Sequence, residues 1–220
     1  MALVYHFCNK EFGLENIEKR RLKVATINEL NDPFEMQLFS SPIKAVRGHL
    51  KDFKEGVARE FGLLCFSKSY MSPVQWAHYS DKHRGLCLGF EVDEERLHTV
   101  EYKYDRVSFD PTEYALMSAP ERFDLMTAQL RAKHSQWRYE REVRQVFLLK
   151  ETHAEGLLHF RSFDQIGKLR QAIVGCVSDI TRSELNEKLG DLVGEVECFK
   201  VRTAFKSFNI VRNKDKTLWS

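Results

Sequence analysis

Residues 76–90 read W-A-H-Y-S-D-K-H-R-G-L-C-L-G-F, and this stretch joins a predicted helix to a predicted strand through one turn. Ser72 and Pro73 lie just before it and are typical of a helix start, because serine accepts from free backbone donors and proline has a suitable φ. We expect the helix to continue to about His83 and to end at Gly85. The apolar run that follows predicts a strand over 86–92.

Outside this stretch, strand and helix patterns alternate irregularly. Apolar residues at three-to-four spacing, such as Val46, Leu50, Phe53 and Val57, predict an amphipathic helix over 44–61. The predicted helices cover 11–19, 44–61, 72–83, 113–133 and 181–189, with a helical turn at 166–169. The predicted strands cover 3–8, 22–27, 63–67, 86–92, 97–104, 143–149, 172–177, 193–201 and 205–211.

The last two predicted strands indicate how the sheet is built. Strand 205–211 follows strand 193–201 too closely for a parallel crossover, so the two form a hairpin. The sequence contains no G-x-G-x-x-G or G-K-[ST] loop, and no G-x-S-x-G or H-E-x-x-H motif. We therefore predict an α+β fold: a single domain over 1–220, with a mixed, mainly antiparallel sheet flanked by helices.

Charge and cysteine content indicate the compartment and limit the partners. The formal net charge is +2, which is too small to argue for nucleic-acid binding by itself. Five cysteines without a C-x-x-C pair favour a reducing environment. The first ten residues lack the pattern of a signal peptide, and no apolar stretch reaches membrane-spanning length. We expect a cytoplasmic protein without a membrane partner.

The helix within 76–90 concentrates residues that are able to bind a ligand. Trp76 and Tyr79 share a face, and such amphipathic aromatics either pack in a core or line a ligand site. His78 and His83 are five residues apart, which does not match the i, i+4 spacing of helical metal pairs. We therefore expect no metal here.

A second cluster, W-R-Y-E-R-E-V-R, occupies 137–144. On an extended chain, Trp137 and Tyr139 would share one face, and Glu140, Glu142 and Arg144 the other. Two carboxylates beside an arginine are able to hold a ribose diol or stabilise a developing cation. They are equally consistent with a surface charge ladder.

Two further motifs carry weaker signals. His6 lies on the first predicted strand, where a lone histidine is more often structural than catalytic. The N-D-P-F-E segment over 31–35 predicts a turn, because a proline disfavours the helical conformation of the residue before it. A ligand-binding role for Asn31, Asp32 and Glu35 stays open.

These motifs together resemble a bacterial family catalogued as a domain of unknown function, number 2971. The resemblance rests on Y-H-F in the first strand, N-D-P-F-E, L-L-C-F-S-K-S, the 76–90 stretch, W-R-Y-E-R-E-V-R, A-I-V-G-C-V and the final hairpin, in this order. It extends over nearly the whole chain, but the family name implies no activity.

At a second level the chain resembles the ADP-ribosyltransferase fold, which implies roles for particular residues. His6 would contact the nicotinamide-side ribose. Glu142, with Glu140 two residues before it, would hold the ribose hydroxyl and stabilise an oxocarbenium-like transition state. Ser67 and Tyr79 are both candidates for the position that borders the nicotinamide.

The same resemblance implies NAD as a substrate. Trp76 or Tyr79 would stack on a ring, and Arg84 would meet a phosphate oxygen, a task suited to guanidinium. His78 and Arg144 complete the candidates for NAD binding. The expected activity is ADP-ribosyl transfer to a protein or nucleic-acid target, or NAD glycohydrolysis, in bacterial stress or anti-phage defence.

Two other functions remain open from the sequence. A non-catalytic nucleotide- or nucleic-acid-binding module would use basic residues as phosphate contacts, namely Lys82, His83, Arg84, Arg138, Arg141 and Arg144. A nuclease would use His78 and His83 as acid and base, provided that both imidazoles face one cleft.

Overall fold

The computed structural model describes residues 1–215, 217 and 219. In this part of the chain, one large mixed sheet is mainly antiparallel and is flanked by helices, which confirms the predicted α+β class. The strands are β1 (Ala2–Cys8), β2 (Arg21–Thr26), β3 (Phe39–Ser40), β4 (Phe61–Ser67), β5 (Leu86–Val92), β6 (His98–Thr99), β7 (Glu101–Lys103), β8 (Val107–Ser108), β9 (Ala132–His134), β10 (Glu142–Leu148), β11 (His153–Glu155), β12 (Leu158–Ser162), β13 (Lys168–Val174), β14 (Glu197–Thr203) and β15 (Ile210–Arg212).

Helices cover both faces of this sheet. Most begin at a capping residue: Asn9, Ser72, Asp110 and Thr181 each accept a backbone N–H in the first turn that follows. The helices are α1 (Lys10–Glu18), α2 (Lys44–Glu60), α3 (Pro73–Tyr79), α4 (Pro111–Leu116), α5 (Ala119–Arg131), α6 (Phe163–Ile166) and α7 (Arg182–Leu189), with 3₁₀ turns at Ile27–Glu29, Glu94–Arg96, Ser135–Glu140, Leu149–Glu151 and Gly190–Leu192.

The order of strands in the large sheet is β11-β12-β2-β4-β1-β5-β13-β14-β15, with β10 on β4 and β6 on β10. Within it only the β13–β14 pair is parallel in the described residues, and the two small sheets β3–β8 and β7–β9 are parallel as well. The closing hairpin is present as β14 and β15, shorter than predicted but antiparallel. The strand β4 therefore lies between β10 on one edge and β2 and β1 on the other.

Alternation along the central strands divides the core between the two faces. Leu86 and Leu88 of β5 pack with α1 and α7 in the largest apolar cluster. Cys87, between them, faces the opposite side and packs with Trp76 of α3. This is the two-residue period of a strand that is buried on both faces.

Two predicted elements are interrupted in the structure. The helix predicted over 113–133 is wrong, because the chain breaks between α4 and α5, where Ser118 forms a capping box with Glu121 and Pro120 lies in the first turn. The strand predicted over 97–104 is reduced to β6 and β7, which pair with different partners.

The extended conformation predicted for 137–144 is also wrong in its first half. Residues Ser135–Glu140 form a 3₁₀ helix, and Arg141 follows in the left-handed region with φ of 48°. Glu142 then begins β10. Glu140 and Glu142 are thus brought together by the turn at Arg141, and not by the alternation of side chains along a single extended strand.

The helix predicted to reach His83 ends at Tyr79, and a left-handed run follows. Asp81, Lys82 and His83 have φ of 42°, 51° and 70°. Each such L-residue costs about 1–2 kcal/mol, so tertiary contacts must hold the run in place. His83 N donates to Trp76 O at 3.1 Å, and Gly85 N donates to Ser80 O at 2.9 Å. This left-handed run reverses the direction of the chain between α3 and β5. As a result, α3 packs against the large sheet to which β5 belongs.

A close backbone approach fixes the end of this turn. A Cβ atom on Gly85 would lie 2.2 Å from Cys8 O, and one on Gly175 would lie 2.1 Å from His83 O. Neither backbone is able to give way without moving a central strand. Glycine is therefore required here for space rather than for its φ.

We expect Gly85→Ala to lower the free energy of unfolding by on the order of 1–3 kcal/mol, because it overpacks the contact with Cys8. Gly56→Ala on α2 is the control, since a Cβ atom there meets nothing within 4 Å. It should be neutral or stabilise by roughly 0.5–1 kcal/mol. Urea denaturation measures both, and equal effects of the two substitutions would contradict the packing argument.

Candidate functional site

A pocket opens where β1 and β4 separate. The backbones of the two strands are paired at Tyr5 and Ser67. Beyond this pair, at His6, the strands are joined by a side-chain contact instead of backbone pairing. His6 Nδ1 lies 3.1 Å from the backbone oxygen of Cys65. The resulting pocket has a volume of about 160 Å³.

Seven structural segments line this pocket. Most of the residues that sequence reasoning singled out for chemistry are on the lining, including His6, Ser67 and Tyr79. The full lining is Tyr5, His6 and Phe7 of β1; Glu29, Leu30, Asn31 and Glu35 after β2; Cys65, Phe66 and Ser67 of β4; Gln75 and Tyr79 of α3; and Lys133, Glu140 and Glu142.

One wall of the pocket belongs to a buried charge cluster, which consists of Glu35, Lys133, Glu140, Glu142 and Arg144. Lys133 Nζ lies 2.5 Å from Glu140 Oε2 and 2.9 Å from Glu142 Oε2. The ammonium is also 3.6 Å from Glu35. With every group ionised, three acids and two bases leave the cluster with one net negative charge.

Arg144 is the most deeply enclosed member, with 1% of its side chain exposed. Its Nη1 and Nη2 bind the two oxygens of Glu35 at 2.9 and 2.6 Å. Its Nε and Nη2 bind the two oxygens of Glu142 at 2.7 and 3.2 Å, and Nη1 also donates to Leu130 O at 2.8 Å. All the guanidinium donors are used, so Arg144 is not available to a phosphate.

The two cations keep Glu142 ionised. Burial alone would raise the pKa of Glu142, but the charges of Arg144 and Lys133 outweigh that effect and lower the pKa to about 2. The same carboxylates raise the pKa of Lys133 against the opposing effect of burial. Glu142 is therefore an anion at neutral pH, held by several charge-assisted hydrogen bonds.

Glu140 has a different environment. Burial raises its pKa above the ordinary value, in opposition to Lys133 and to a hydrogen bond from Tyr79. The Tyr79 hydroxyl donates to Glu140 Oε1. Burial and the neighbouring carboxylate raise the pKa of Tyr79 as well, so its proton stays on the phenol. The environment of Glu140 thus favours the protonated carboxyl, whereas that of Glu142 favours the carboxylate.

His6 is neutral in the pocket and its tautomer follows from its contact. Burial lowers the pKa of the imidazole below its usual value. Cys65 O is an acceptor, so His6 Nδ1 must carry the proton that it donates. Nε2 of the neutral ring is then a hydrogen-bond acceptor on a residue that lines the pocket.

Ser67 and Gln75 hold Glu140 in place. Ser67 Oγ donates to Glu140 O at 2.7 Å, and Gln75 Nε2 donates to the same oxygen at 2.9 Å. Both side chains are buried. Ser67 therefore lines the pocket with a hydroxyl that is already engaged, whereas the ring of Tyr79 is the larger surface that a ligand would meet.

Residues 75–145 match the family model described as "Protein of unknown function (DUF2971)". The family resemblance is confirmed over this segment. No curated protein and no solved structure matches the chain. The matched segment runs from Gln75 on α3 to Gln145 on β10 and contains Lys133, Glu140 and Glu142, whereas His6 lies outside it.

Four residues predicted to bind NAD are not placed in the pocket. Trp76 is 0% exposed, packs edge-on against Phe7 and donates from Nε1 to Tyr70 O, so it is a core residue. Arg144 is enclosed by its two carboxylates, and this corrects its prediction as a phosphate contact. His78 and Arg84 are exposed residues outside the pocket lining, and His78 Nδ1 lies 3.0 Å from the Tyr139 hydroxyl.

Sequence reasoning missed Lys133 and left Glu35 open. Lys133 appeared to be the end of a long helix, whereas it lies on β9 after α5 has ended at Arg131. No local pattern distinguishes such a lysine from a solvated one. Glu35 was visible in N-D-P-F-E, and the signal for it was an acidic residue within a proline-containing turn.

Two observations concern metals and membranes. Among residues 1–215, 217 and 219, no group of three or more His, Cys, Asp and Glu side chains is arranged to hold a metal ion. Over the same residues, none of the helices combines the length and the apolar character needed to cross a bilayer.

We expect Arg144→Met to lower the free energy of unfolding by about 3–5 kcal/mol, because it leaves Glu35 and Glu142 buried without their main partner. Arg170→Met is the matched control, since Arg170 pairs with Glu91 at a site where 42% and 36% of the side chains are exposed. That change should cost about 1 kcal/mol or less. Chemical denaturation compares them.

Arg144→Lys adds a graded variant in case the methionine variant is too unstable to purify. It keeps the charge but loses the paired hydrogen bonds, so its stability should lie between the wild type and Arg144→Met. A loss for Arg144→Lys no larger than that for Arg170→Met would refute the idea that the cluster depends on this guanidinium.

Proposed function

We propose that the protein cleaves the nicotinamide–ribose bond of NAD, as an ADP-ribosyltransferase-like enzyme or an NAD glycohydrolase. The observation that carries the proposal is that four residues from different elements line one pocket. They are His6 of β1, Tyr79 of α3, Glu140 of a 3₁₀ turn and Glu142 of β10. Convergence of residues so distant in sequence is what a catalytic site requires and what a surface charge ladder would not produce.

The charge of the pocket suits the proposed reaction. The nicotinamide ring of NAD is a cation, and as the glycosidic bond breaks, its electron pair leaves with the ring nitrogen and positive charge moves to the ribose. A wall with one net negative charge favours both the bound cation and the oxocarbenium-like state. Glu142 contributes an oriented carboxylate whose ionisation does not depend on pH near neutrality.

The neutral His6 suits the uncharged part of the ligand. The Nε2 lone pair of His6 is able to accept a hydrogen bond from a ribose hydroxyl. The hydrogen bond from Nδ1 to Cys65 O holds the ring in this orientation. The ring of Tyr79 offers a surface for the nicotinamide, and its hydroxyl stays on Glu140. The residues therefore position the ribose between an acceptor and an anion, which is the main demand of this reaction.

The size of the pocket limits what enters it. A volume of about 160 Å³ is below the roughly 300–1,000 Å³ of sites that enclose a whole drug-sized ligand. The nicotinamide riboside end would enter, and the adenosine end would lie at the rim. Water or a nucleophile of a target would then capture the ribosyl cation, and its proton would pass to solvent or to Glu140.

We expect purified protein to release nicotinamide from NAD, and Glu142→Gln to reduce turnover by on the order of 10²–10³-fold through loss of the anion. Chromatography measures nicotinamide, and calorimetry measures NAD binding. Glu187→Gln is the control, because Glu187 is an exposed residue of α7. Circular dichroism and a melting curve establish that Glu142→Gln is folded at the assay temperature.

The outcomes of this assay separate the proposal from its alternatives. Nicotinamide release that Glu142→Gln abolishes and Glu187→Gln preserves supports it. Binding of NAD without any release indicates a nucleotide-binding module instead. If wild-type protein neither binds NAD nor consumes it, the proposal fails.

The pH dependence of the reaction tests the role of His6. Because burial lowers the pKa of His6 below about 6.5, the ring stays neutral down to that pH and loses its acceptor only in more acidic solution. The ratio kcat/KM should therefore be level from pH 8 to about 6.5, and its acid limb should lie at a pH more acidic than the ordinary pKa of an imidazole. His6→Asn should have a lower kcat/KM without this acid limb, whereas an unchanged limb would assign it to another group.

A further inference from the structure

A second pocket lies on a different part of the molecule, between α2 and α5. Its volume is about 320 Å³, twice that of the pocket between β1 and β4. Apolar side chains form its walls, among them Leu50 and Phe53 of α2 and Leu125 and Met126 of α5. Both its size and its walls are typical of a site for a small organic ligand.

One polar side chain lies deep in this apolar pocket. Gln129 lines it and is only 4% exposed. Within residues 1–215, 217 and 219, no hydrogen bond of the Gln129 amide is found, and neither of its polar atoms is among the fully buried side-chain atoms that lack a partner. The amide is therefore accessible from the pocket that it lines, and a ligand that hydrogen-bonds to it gains on the order of 0.5–1.5 kcal/mol of affinity.

A cation lies at the rim of the same pocket. Arg122 lines it, and its guanidinium carbon lies 5.1 Å from the centre of the Tyr114 ring. Arg122 Nη2 donates to Ala115 O at 3.2 Å, and in the described part of the chain the guanidinium forms no ion pair with a carboxylate. The charge of Arg122 is therefore available to an anion.

The positions of these two groups define the shape of a ligand. Arg122 and Gln129 are seven residues apart on one helix, which places them on the same face about 10 Å apart along the axis. A single carboxylate does not span that distance. A molecule with an anionic end, an apolar middle and a second hydrogen-bonding group at the far end does.

We propose that the α2–α5 pocket binds a small amphipathic carboxylic acid that carries a hydroxyl or similar polar group at its far end. The carboxylate pairs with Arg122, the apolar body packs between Leu50, Phe53 and Met126, and the far group hydrogen-bonds to Gln129. This site is separate from the charge cluster, and the proposal holds whether or not the protein consumes NAD.

Three probes of equal chain length test the proposal on the full chain. They are ω-hydroxydecanoate, which has both polar ends, decanoate, which lacks the hydroxyl, and decanediol, which lacks the carboxylate. Calorimetry should rank ω-hydroxydecanoate as the tightest. Each missing group should weaken binding about fivefold, the value of one ordinary hydrogen bond or exposed ion pair.

Two variants assign the ends of the ligand to their partners. Gln129→Leu should remove the preference for ω-hydroxydecanoate over decanoate and leave the preference for acid over diol. Arg122→Gln should do the reverse. If either variant changes neither preference, or changes both equally, the assignment of the two ends is wrong.

A filling variant tests the pocket itself. Met126→Trp should abolish binding of all three probes, because the indole occupies the space between the helices. Leu157→Trp is the control, since Leu157 is 94% exposed in the turn between β11 and β12, and it should bind as the wild type does. Absence of binding by wild-type protein, or equal binding by Met126→Trp, overturns the proposal.

Discussion

Arg144 organises the charged interior because its guanidinium binds two carboxylates from different parts of the chain at once. Glu35 comes from the segment after β2, Glu142 begins β10, and Leu130 O lies near the end of α5. A buried guanidinium is costly unless every donor is used, and here the carboxylates and the carbonyl use them all. The position of Glu142 in the pocket thus depends on an arginine that a ligand does not touch.

The separation of β1 from β4 is the second condition for the pocket. Two antiparallel strands paired along their whole length would leave no space between them. Here the backbone pairing gives way beyond Tyr5 and Ser67, and His6 satisfies the carbonyl of Cys65 with its side chain. The imidazole therefore has a structural and a chemical role. The hydrogen bond from its Nδ1 to Cys65 O takes the place of a backbone bond between the strands, and its Nε2 remains able to accept a hydrogen bond from a ligand.

Much of the fold follows from local sequence, because its long elements have clear periods. The strands over Leu86–Val92 and Glu142–Leu148 and the helix over Lys44–Glu60 were predicted within a few residues of their bounds. His6, Tyr79, Glu140 and Glu142 were also singled out from sequence and resemblance, and they lie on one pocket.

The parts that could not be predicted depend on long-range contacts. Whether Trp76 faces a ligand or a core depends on Phe7, 69 residues earlier, and whether Arg144 is free depends on Glu35. Lys133 is important only because α5 ends at Arg131 and a turn follows at Arg141, so that three carboxylates surround the lysine on β9. Neither periodicity nor spacing carries information of that kind.

The left-handed run at Asp81, Lys82 and His83 has a consequence for insertions and deletions. It connects α3 to β5 by a turn of fixed length, and both of its ends are held by backbone hydrogen bonds. One extra residue there would shift the register of β5 by one residue. Leu86 and Cys87 would then exchange the faces of the sheet on which they are buried. The length of this turn is thus as strict a requirement as the glycine that ends it.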